Sequence, residues 1–280
     1  MNNKIGALIS IYADRERYIN EFKKLHELGL HSCQLCTFNE DLMTEENAEI
    51  ALEYCKKYDI EISAFWCGWD GPQEWNFYDG PLTLGLVPET YRADRLRQLK
   101  KGAHYAVRLG TTDMITHVGF IPETPNTAEW RSLVACLKDL ANYCKNLGIN
   151  FLFETGQETP TTLLRTIQAI GTDNLGINLD PANLIAYGKG NPVDALLVFG
   201  QYVRNIHGKD YLYPVDPWHF NDEVPLGQGH VNYPAFIDRL HEIGYKGPIT
   251  IEREIHGEEQ KKDILMAKKM LEDLMARYDD

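Results

Sequence analysis

The stretch GINLDPANLIAYGKG (residues 176–190) ends an apolar run on an aspartate, Asp180, and a proline follows at once. A carboxylate alone in an apolar interior is costly, so Asp180 must face solvent, pair with another group or bind a cation. The apolar run has the length and composition of a buried β-strand, and the proline marks where the strand stops. The same unit, an apolar strand that ends on a polar side chain, recurs along the chain.

Outward from this stretch, short β-type runs alternate with longer segments of helical period. The predicted strands are KIGALIS, HSCQLCTF, IEISAFWCGW, DMITHVGF, NFLFETG, LGINLD, VRNIHGKD and GPITIERE. The predicted helices cover residues 14–29, 44–58, 90–109, 127–147, 161–170 and 233–243, with a short helix from 192 and a charged helix from 258. Glycine stands where helix C-caps are expected, at Gly29, Gly110, Gly148, Gly171 and Gly244.

Eight β-then-α units in 280 residues predict an α/β fold, a single-domain (β/α)8 TIM barrel that covers residues 1–280. A doubly wound open sheet is the main alternative, but no predicted strand is followed by the glycine fingerprint of a dinucleotide site. Two connections, about 68–89 and 208–232, are too long to be simple links. Both follow a strand, so in a barrel both lie on the C-terminal face, where active sites are built.

The chain carries 28 basic and 41 acidic residues, a formal net charge of −13, so we expect no nucleic-acid partner. We find neither a secretory signal nor an apolar run that could span a membrane, so no membrane partner is expected. Six cysteines in a chain of this size suggest a reducing compartment and a cytoplasmic protein. Cys33 and Cys36 have the spacing of a redox or zinc pair, but on a strand they would point to opposite faces. A homo-oligomer is left open.

Four consecutive strands of the predicted barrel end on polar side chains, namely Glu154, Asp180, His207 and Glu252. Residues two apart on a strand share a face, so all four side chains can point at the barrel axis. Their neighbours then face the helices, and these are Phe153, Leu179, Ile206 and Ile251. Three carboxylates at one point would repel one another, and a divalent cation resolves that repulsion.

An oxygen-rich ligand set with one imidazole nitrogen favours Mn²⁺ or Mg²⁺, with Co²⁺, Zn²⁺ or Fe²⁺ as alternatives. Four protein ligands would leave open positions on a six-coordinate ion for two substrate oxygens. A single acid at a strand end is more often a helix N-cap or a salt-bridge partner than a metal ligand. Four such residues on adjacent strands favour the joint metal interpretation.

Several motifs resemble those of the xylose isomerase-like barrels, a family of sugar phosphate isomerases and epimerases that includes ketose 3-epimerases. These motifs are FLFETGQE, INLDPANL, IHGKD, PLGQGHVNYPAFIDRL and ITIERE, and the resemblance covers nearly the whole chain. It implies that one divalent metal is held by Glu154, Asp180, His207 and Glu252. It also implies that the two glutamates flank the substrate carbon and exchange its proton.

The chain departs from the ketose 3-epimerases at two positions. Asn183 stands where those enzymes have a histidine, and Tyr213 stands where they have an arginine. The ketohexose pocket is therefore not reproduced, and the substrate could be a free keto-sugar or a sugar phosphate. The AP endonucleases of the same superfamily use three zinc ions and more histidines, and the acidic charge is unsuited to DNA.

The chemistry expected of such a site is proton exchange on a keto-sugar. A metal that binds a carbonyl and a neighbouring hydroxyl acidifies the C–H between them and stabilises the enediolate that results. Glu154 and Glu252, as carboxylates on two sides of the substrate, are the expected catalytic residues of an isomerase or epimerase. The same intermediate could instead expel a leaving group, as in a dehydratase or lyase on a keto-sugar or keto-inositol. A non-catalytic sugar-binding barrel and an AP-endonuclease-like nuclease are more remote alternatives.

Further side chains are candidates for substrate contact, although each also has an ordinary structural explanation. His117 ends the fourth strand, Glu158 could instead be a helix N-cap, and Lys209 could instead be solvated. Trp66 and Trp69 could form a wall on which a sugar stacks, or could simply pack a loop. Asn183 occupies the position of the epimerase histidine. Asp210 is expected to orient His207 by accepting a hydrogen bond from its ring.

Overall fold

Eight parallel strands close into a barrel in the computed structural model, which describes residues 1–278. Each strand pairs with its neighbours in chain order, and the eighth closes the ring against the first, with Ile5 opposite Ile249. The strands are β1 (Ile5–Ser10), β2 (Ser32–Thr37), β3 (Glu61–Cys67), β4 (Asp113–Thr116), β5 (Asn150–Glu154), β6 (Leu175–Leu179), β7 (Val203–Gly208) and β8 (Ile249–Ile251). The predicted single-domain (β/α)8 barrel is confirmed.

A main helix follows each strand and covers the outside of the barrel. These helices are α1 (Arg15–Glu27), α2 (Glu45–Tyr58), α3 (Glu89–Leu109), α4 (Ala128–Asn146), α5 (Pro160–Ile170), α6 (Pro192–Phe199), α7 (Tyr233–Glu242) and α8 (Glu258–Met275). The five glycines predicted at helix ends all have positive φ, between 65° and 74°, as a C-cap requires. Within residues 1–278, we find no helix with the length and hydropathy needed to cross a bilayer.

Five connections contain elements that the sequence pattern did not predict, and two of these elements are 3-10 turns, at Glu40–Leu42 and Gly200–Tyr202. A helical turn at Pro181–Ala186 begins directly after Asp180, whose side chain caps it by accepting from Asn183 N. The proline that ends the strand is therefore also the first residue of a helix, a position that proline favours. A short helix, Gly80–Thr83, lies in the first long loop, and a two-residue antiparallel pairing of Asp210–Tyr211 with Glu223–Val224 lies in the second.

The two faces of the strands divide as predicted. Phe153, Leu179, Ile206 and Ile251 belong to the large core between barrel and helices, while Leu152 and Ile115 belong to a separate cluster inside the barrel. Cys33 lies in the outer core and Cys36 in the inner cluster, so the two thiols are on opposite faces. Their spacing therefore reflects a strand and not a redox or zinc pair.

A polar cluster closes the N-terminal end of the barrel, opposite the candidate site. Asp113, at the start of β4 and 5% exposed, accepts hydrogen bonds from Asn150 at 2.8 Å and from Asn205 at 3.0 Å. Its carboxylate also pairs with the Arg204 guanidinium at 3.1 Å. Because these partners come from β5 and β7, one carboxylate ties three strands together across the barrel floor.

We expect Asp113→Ala to destabilise the protein by about 2 kcal/mol, because it leaves the buried Asn205 amide, the half-buried Asn150 amide and an arginine without their acceptor. For a chain of this size that corresponds to a fall of about 4–8 °C in the thermal midpoint. The matched control is Lys269→Ala, which breaks an exposed pair with Asp273 and should change the midpoint little. Equal midpoints for the two variants would contradict the role given to Asp113.

Candidate metal centre

The four strand-end residues converge at the C-terminal end of the barrel. Nδ1 of His207 lies 3.0 Å from Oε1 of Glu154, 3.5 Å from Oδ2 of Asp180 and 3.1 Å from Oε2 of Glu252. Glu154, Asp180 and His207 are each at most 2% exposed, and the side chain of Glu252 is 15% exposed. One imidazole nitrogen thus faces three carboxylate oxygens that come from three other strand ends.

Two atoms of this group are buried without a conventional hydrogen bond, Nδ1 of His207 and Oδ2 of Asp180. Buried polar atoms are rarely left in this state unless a ligand or ion completes them. Ligand atoms of Glu154, Asp180 and His207 lie within 4.8 Å of one another, close enough to bind a single ion. The carboxylate-rich set with one imidazole therefore fits a divalent cation, as the sequence analysis predicts.

The charges of the group are strongly coupled. Burial raises the pKa of Glu154 to about 7, although the neighbouring His207 opposes this. Burial alone would lower the pKa of His207, but the Glu154 and Glu252 carboxylates outweigh it and raise that pKa well above its usual range. Without a cation, the imidazole is therefore held in its charged form by the carboxylates around it.

Lys209 is a further member of the group. It is only 4% exposed, and its Nζ lies 3.2 Å from Oε2 of Glu252, 2.6 Å from Oε1 of Glu254 and 4.0 Å from Oδ2 of Asp180. Burial would raise the pKa of Glu252, but Lys209 and His207 together hold it well below its usual range. The ammonium group therefore stands beside the fourth carboxylate, and Lys209 is not the solvated lysine of the ordinary explanation.

A cavity of about 650 Å³ opens above these residues. Glu154, Glu252 and Lys209 form part of its polar floor, together with Asn183 and His117. The walls are largely aromatic, and the aromatic side chains that the sequence analysis missed are Phe38, Trp75, Tyr187, Tyr211 and Phe220. Trp75, Tyr211 and Phe220 lie on the two long loops, Phe38 follows β2, and Tyr187 follows the helical turn Pro181–Ala186. No periodic pattern at these positions distinguishes a lining residue from a packing one.

Only one of the two tryptophans expected to form a sugar-stacking wall lines the cavity. Trp66 lines the cavity. Trp69 does not line it: this side chain is 1% exposed, and its ring stacks against that of Trp66 with centroids 6.4 Å apart. Trp75 takes the outer position, 5.1 Å from the ring of His117. Trp69 therefore packs against the rings of Trp66 and Trp75 and supports the wall from inside the protein.

The contacts of Glu158 exclude its role as a helix cap, and those of Asn183 place it at the cavity. The N-cap of α5 is Thr159, so Glu158 is not the cap. Glu158 is 3% exposed, its Oε1 has no hydrogen-bond partner, and burial raises its pKa to about 8. Asn183 borders the cavity, and its side-chain amide donates to the Thr155 carbonyl at 3.2 Å.

Asp210 has different partners from the one predicted. Its carboxylate accepts backbone N–H groups of Tyr211, Gly227, Gly229 and Val231, all at 2.9–3.0 Å. A side chain at Gly229 would meet this carboxylate at 2.2 Å, so only glycine allows the approach. Asp210 therefore organises the second long loop. Within residues 1–278, the ring of His207 is instead hydrogen-bonded to Gln34, which lies 2.7 Å from its Nε2.

The first long loop is held by one buried cation, Arg95 of α3. Its guanidinium donates to the carbonyl oxygens of Asp70, Pro72, Thr83 and Gly85 at 2.6–3.4 Å. Burial lowers the pKa of Arg95 to about 10, which leaves the group charged at neutral pH. This contact fixes the loop that carries Trp75.

We expect one divalent cation per chain at this centre, and a thermal midpoint that rises with Mn²⁺ and falls with a chelator. Glu154→Gln or Asp180→Asn should weaken Mn²⁺ binding by more than about tenfold, since even partners of metal ligands cost that much. Glu254→Gln is the matched control, because Glu254 also borders the cavity but contacts Lys209 and not His207. The Mn²⁺ affinity of all three variants is measured by titration after the bound metal has been removed with a chelator. Equal affinities of the three variants and the wild type would refute the metal centre.

The buried ring of His117 should make the metal-free protein sensitive to acid. Burial lowers the pKa of His117 to about 3, so protons bind the unfolded state more readily between pH 6.5 and 3. Stability present above pH 6.5 is then lost as the pH falls. Between pH 7 and pH 5 this costs about 2 kcal/mol, a loss that His117→Gln should not suffer.

Urea unfolding with a chelator present measures this difference. The control is His219→Gln, at a side chain that is 80% exposed, which should keep the pH dependence of the wild type. A His117→Gln protein that loses as much stability as the wild type between pH 7 and pH 5 would contradict the prediction.

Known proteins share this architecture. A model of the xylose isomerase-like TIM barrel family matches residues 22–274. The crystal structure of a xylose isomerase domain protein from Planctomyces limnophilus has 35% identity and a TM-score of 0.90, over 98% of each chain. A D-tagatose 3-epimerase-like protein has 21% identity and a TM-score of 0.74, over 98% of this chain and 97% of that one.

A relative in sequence is the rhizopine catabolism protein MocC of Rhizobium meliloti, 25% identical over 218 residues, which are 70% of this chain and 64% of that protein. The match to the family model extends over nearly all of the barrel described above. The chain belongs to the xylose isomerase-like TIM barrel family.

Proposed function

We propose that the protein is a divalent-metal-dependent isomerase or epimerase that acts on a keto-sugar. The observation that carries the proposal is the set of three carboxylate oxygens within 3.5 Å of Nδ1 of His207, at the floor of an aromatic-walled cavity. Such a floor binds a cation and the oxygens of a substrate together, and such walls suit the apolar faces of a sugar ring. The likeness to a D-tagatose 3-epimerase-like protein supports the same class of substrate.

A cation held by Glu154, Asp180, His207 and Glu252 would polarise the carbonyl of the substrate and so acidify the neighbouring C–H. The chain itself supplies the proton carriers. Glu154 ends β5 and Glu252 follows β8, so the two carboxylates approach the cavity from strands separated by β6 and β7. One carboxylate removes the proton from one face of the substrate, and the other returns a proton to the opposite face.

The environments of the two glutamates support different starting states. Oε2 of Glu154 accepts a hydrogen bond from Asn178, and burial raises the pKa of this carboxyl to about 7. Glu252 instead lies beside the Lys209 ammonium, which holds its pKa low. A pair of carboxyl groups whose pKa values are pushed apart suits one acid and one base.

The charges around the cavity favour an uncharged sugar over a phosphate ester. Among residues 1–278, Lys209 is the one lysine or arginine that borders the cavity, and it is already shared by Glu252 and Glu254. A phosphate would need an unshared cation or an open helix N-terminus. His117 and Tyr187 border the cavity with a ring nitrogen and a hydroxyl that complete no hydrogen bond, and both suit the hydroxyl groups of a free sugar.

Elimination is the second candidate, and the position of Lys209 favours it. Glu252 could remove the proton next to the carbonyl while Lys209, 3.2 Å away, gives its proton to the departing hydroxyl. The C–O bond then breaks with the release of water, and a double bond forms in the sugar. The reaction would be a dehydration with no change of oxidation state.

Incubation of Mn²⁺-loaded protein in D₂O with a panel of ketoses and keto-inositols tests the proposal. We expect deuterium at the carbon next to the carbonyl and a stereoisomer or an aldose–ketose pair that differs in mass only by the deuterium. Glu154→Gln and Glu252→Gln, assayed at saturating Mn²⁺ with metal content measured, should each slow exchange by about 10²-fold or more. Glu254→Gln is again the control and should retain most of the rate.

The other outcomes separate the alternatives. Loss of water from the substrate, abolished by Lys209→Met while exchange persists, would establish elimination in place of epimerisation. Binding of the panel without any exchange would refute an enzyme of either kind and leave a sugar-binding barrel.

A further inference from the structure

A chain of hydrogen bonds crosses the inside of the barrel at the level of the candidate centre. Nδ2 of Asn178 donates to Oε2 of Glu154, and Nε2 of Gln34 donates to Oδ1 of Asn178 at 3.0 Å. Oε1 of Gln34 lies 2.7 Å from Nε2 of His207. Gln34 belongs to β2 and Asn178 to β6, on opposite sides of the barrel. The chain therefore joins two proposed metal ligands by their outer atoms.

The direction of every bond in this chain follows from its carboxylate end. An ionised carboxylate only accepts hydrogen bonds, so Asn178 must turn its NH₂ group to Glu154 and its carbonyl to Gln34. Gln34 must then turn its NH₂ group to Asn178 and its carbonyl to His207. A carbonyl oxygen cannot donate, so Nε2 of His207 carries the proton. Nδ1 of the same ring is the nitrogen left to face the three carboxylates.

The two amides are unusual for their surroundings. Both are fully buried, whereas neighbouring strands fill the barrel interior with Leu8, Ile115 and Leu152. Amides in an apolar interior are costly unless their hydrogen bonds are made. None of the four polar side-chain atoms of Gln34 and Asn178 is among the buried atoms without a partner. Nδ1 of His207, on the far side of the ring from Gln34, is among the buried atoms without a hydrogen bond.

We propose that Gln34 and Asn178 are positioning residues for the metal centre. Gln34 fixes the tautomer and the angle of the His207 ring, so that Nδ1 is the atom offered to the cation. Asn178 holds Glu154 by its outer oxygen, so that Oε1 is the atom offered. The proposal rests on the metal centre described above, but it concerns residues that would not touch the ion themselves.

The test uses two variants of similar shape, Gln34→Met and Asn178→Leu, which put apolar groups in place of each amide and so remove its hydrogen bonds. The control is Asn205→Leu, which removes another buried barrel amide from the strand of His207, one that binds Asp113 at 3.0 Å. Mn²⁺ affinity is measured by titration of the chelated proteins. The ¹⁵N spectrum of histidine-labelled, Zn²⁺-loaded protein reports which nitrogen of His207 carries the proton.

We expect both variants to bind Mn²⁺ about 10–100-fold more weakly than the wild type, as is typical when the partner of a metal ligand is lost. The wild-type ring should be protonated at Nε2, and Gln34→Met should give a mixture of the two ring tautomers. Asn205→Leu should lower the thermal midpoint while the affinity and the tautomer stay as in the wild type. Affinities of Gln34→Met and Asn178→Leu within twofold of the control, with Nε2 still protonated, would overturn the proposal.

A failure of the metal centre itself gives a different result. If the wild type binds no divalent cation, the metal centre is refuted. The ¹⁵N spectrum of the metal-free protein then tests the hydrogen bond between Gln34 and His207 independently of any metal. The metal-free ring is charged and carries a proton on both nitrogens, so the signal that matters is the hydrogen bond of Nε2–H. An Nε2–H that is hydrogen-bonded in the wild type and no longer so in Gln34→Met would retain Gln34 as the residue that orients the ring, and the lack of this hydrogen bond in the wild type would reject it. If Gln34→Met does not fold, Asn178→Leu tests the same chain of hydrogen bonds from its other end.

Discussion

The burial of three carboxylates around one imidazole nitrogen is the constraint on which the rest of this structure depends. Like charges this close are unfavourable in an interior of low polarity, and removing only one member leaves the others uncompensated. The chain supplies compensation from two directions, through the His207 ring at the centre and the Lys209 ammonium at the edge. On the proposed metal centre, a divalent cation would complete this compensation of charge. The barrel makes the arrangement feasible, because parallel strands bring their carboxyl ends to one place.

The loops above this charge cluster are held by single charged side chains of opposite sign. Arg95 collects four backbone carbonyl groups of the first long loop, and Asp210 collects four backbone N–H groups of the second. Phe77 and Phe220 then join the two loops, with their rings edge to face at 4.8 Å. A long loop without regular secondary structure can pair few of its own backbone N–H and C=O groups. In these two loops, hydrogen bonds to the Arg95 and Asp210 side chains take the place of those pairs. The aromatic walls of the cavity are therefore part of a rigid scaffold.

The sequence predicted whatever depends on local pattern. Strand alternation was enough to assign Phe153 and Ile251 to the outer core, and the strand ends were enough to select the residues around His207. It was wrong about Asp210, whose nearness to His207 along the chain suggested a contact that Gln34 makes instead, from 173 residues away. A partner across a barrel leaves no trace in local periodicity, because any inward position on any strand could supply it. For Trp69 the sequence left stacking and loop packing both open for a related reason, since the path of an irregular loop decides which of its aromatic side chains reaches the cavity.

The inner amides also bear on why two glutamates in one centre need not behave alike. A cation bound between them would lower the basicity of both, so a difference between them must come from groups that remain when the cation is present. Asn178 is such a group for Glu154, and because its amide carries no charge it favours the ionised carboxylate less than an ammonium group would. Lys209 is the corresponding group for Glu252, and its charge opposes protonation. On the proposed function, this asymmetry belongs to the protein and not to the metal, and it assigns the easier gain of a proton to Glu154 and the easier loss to Glu252.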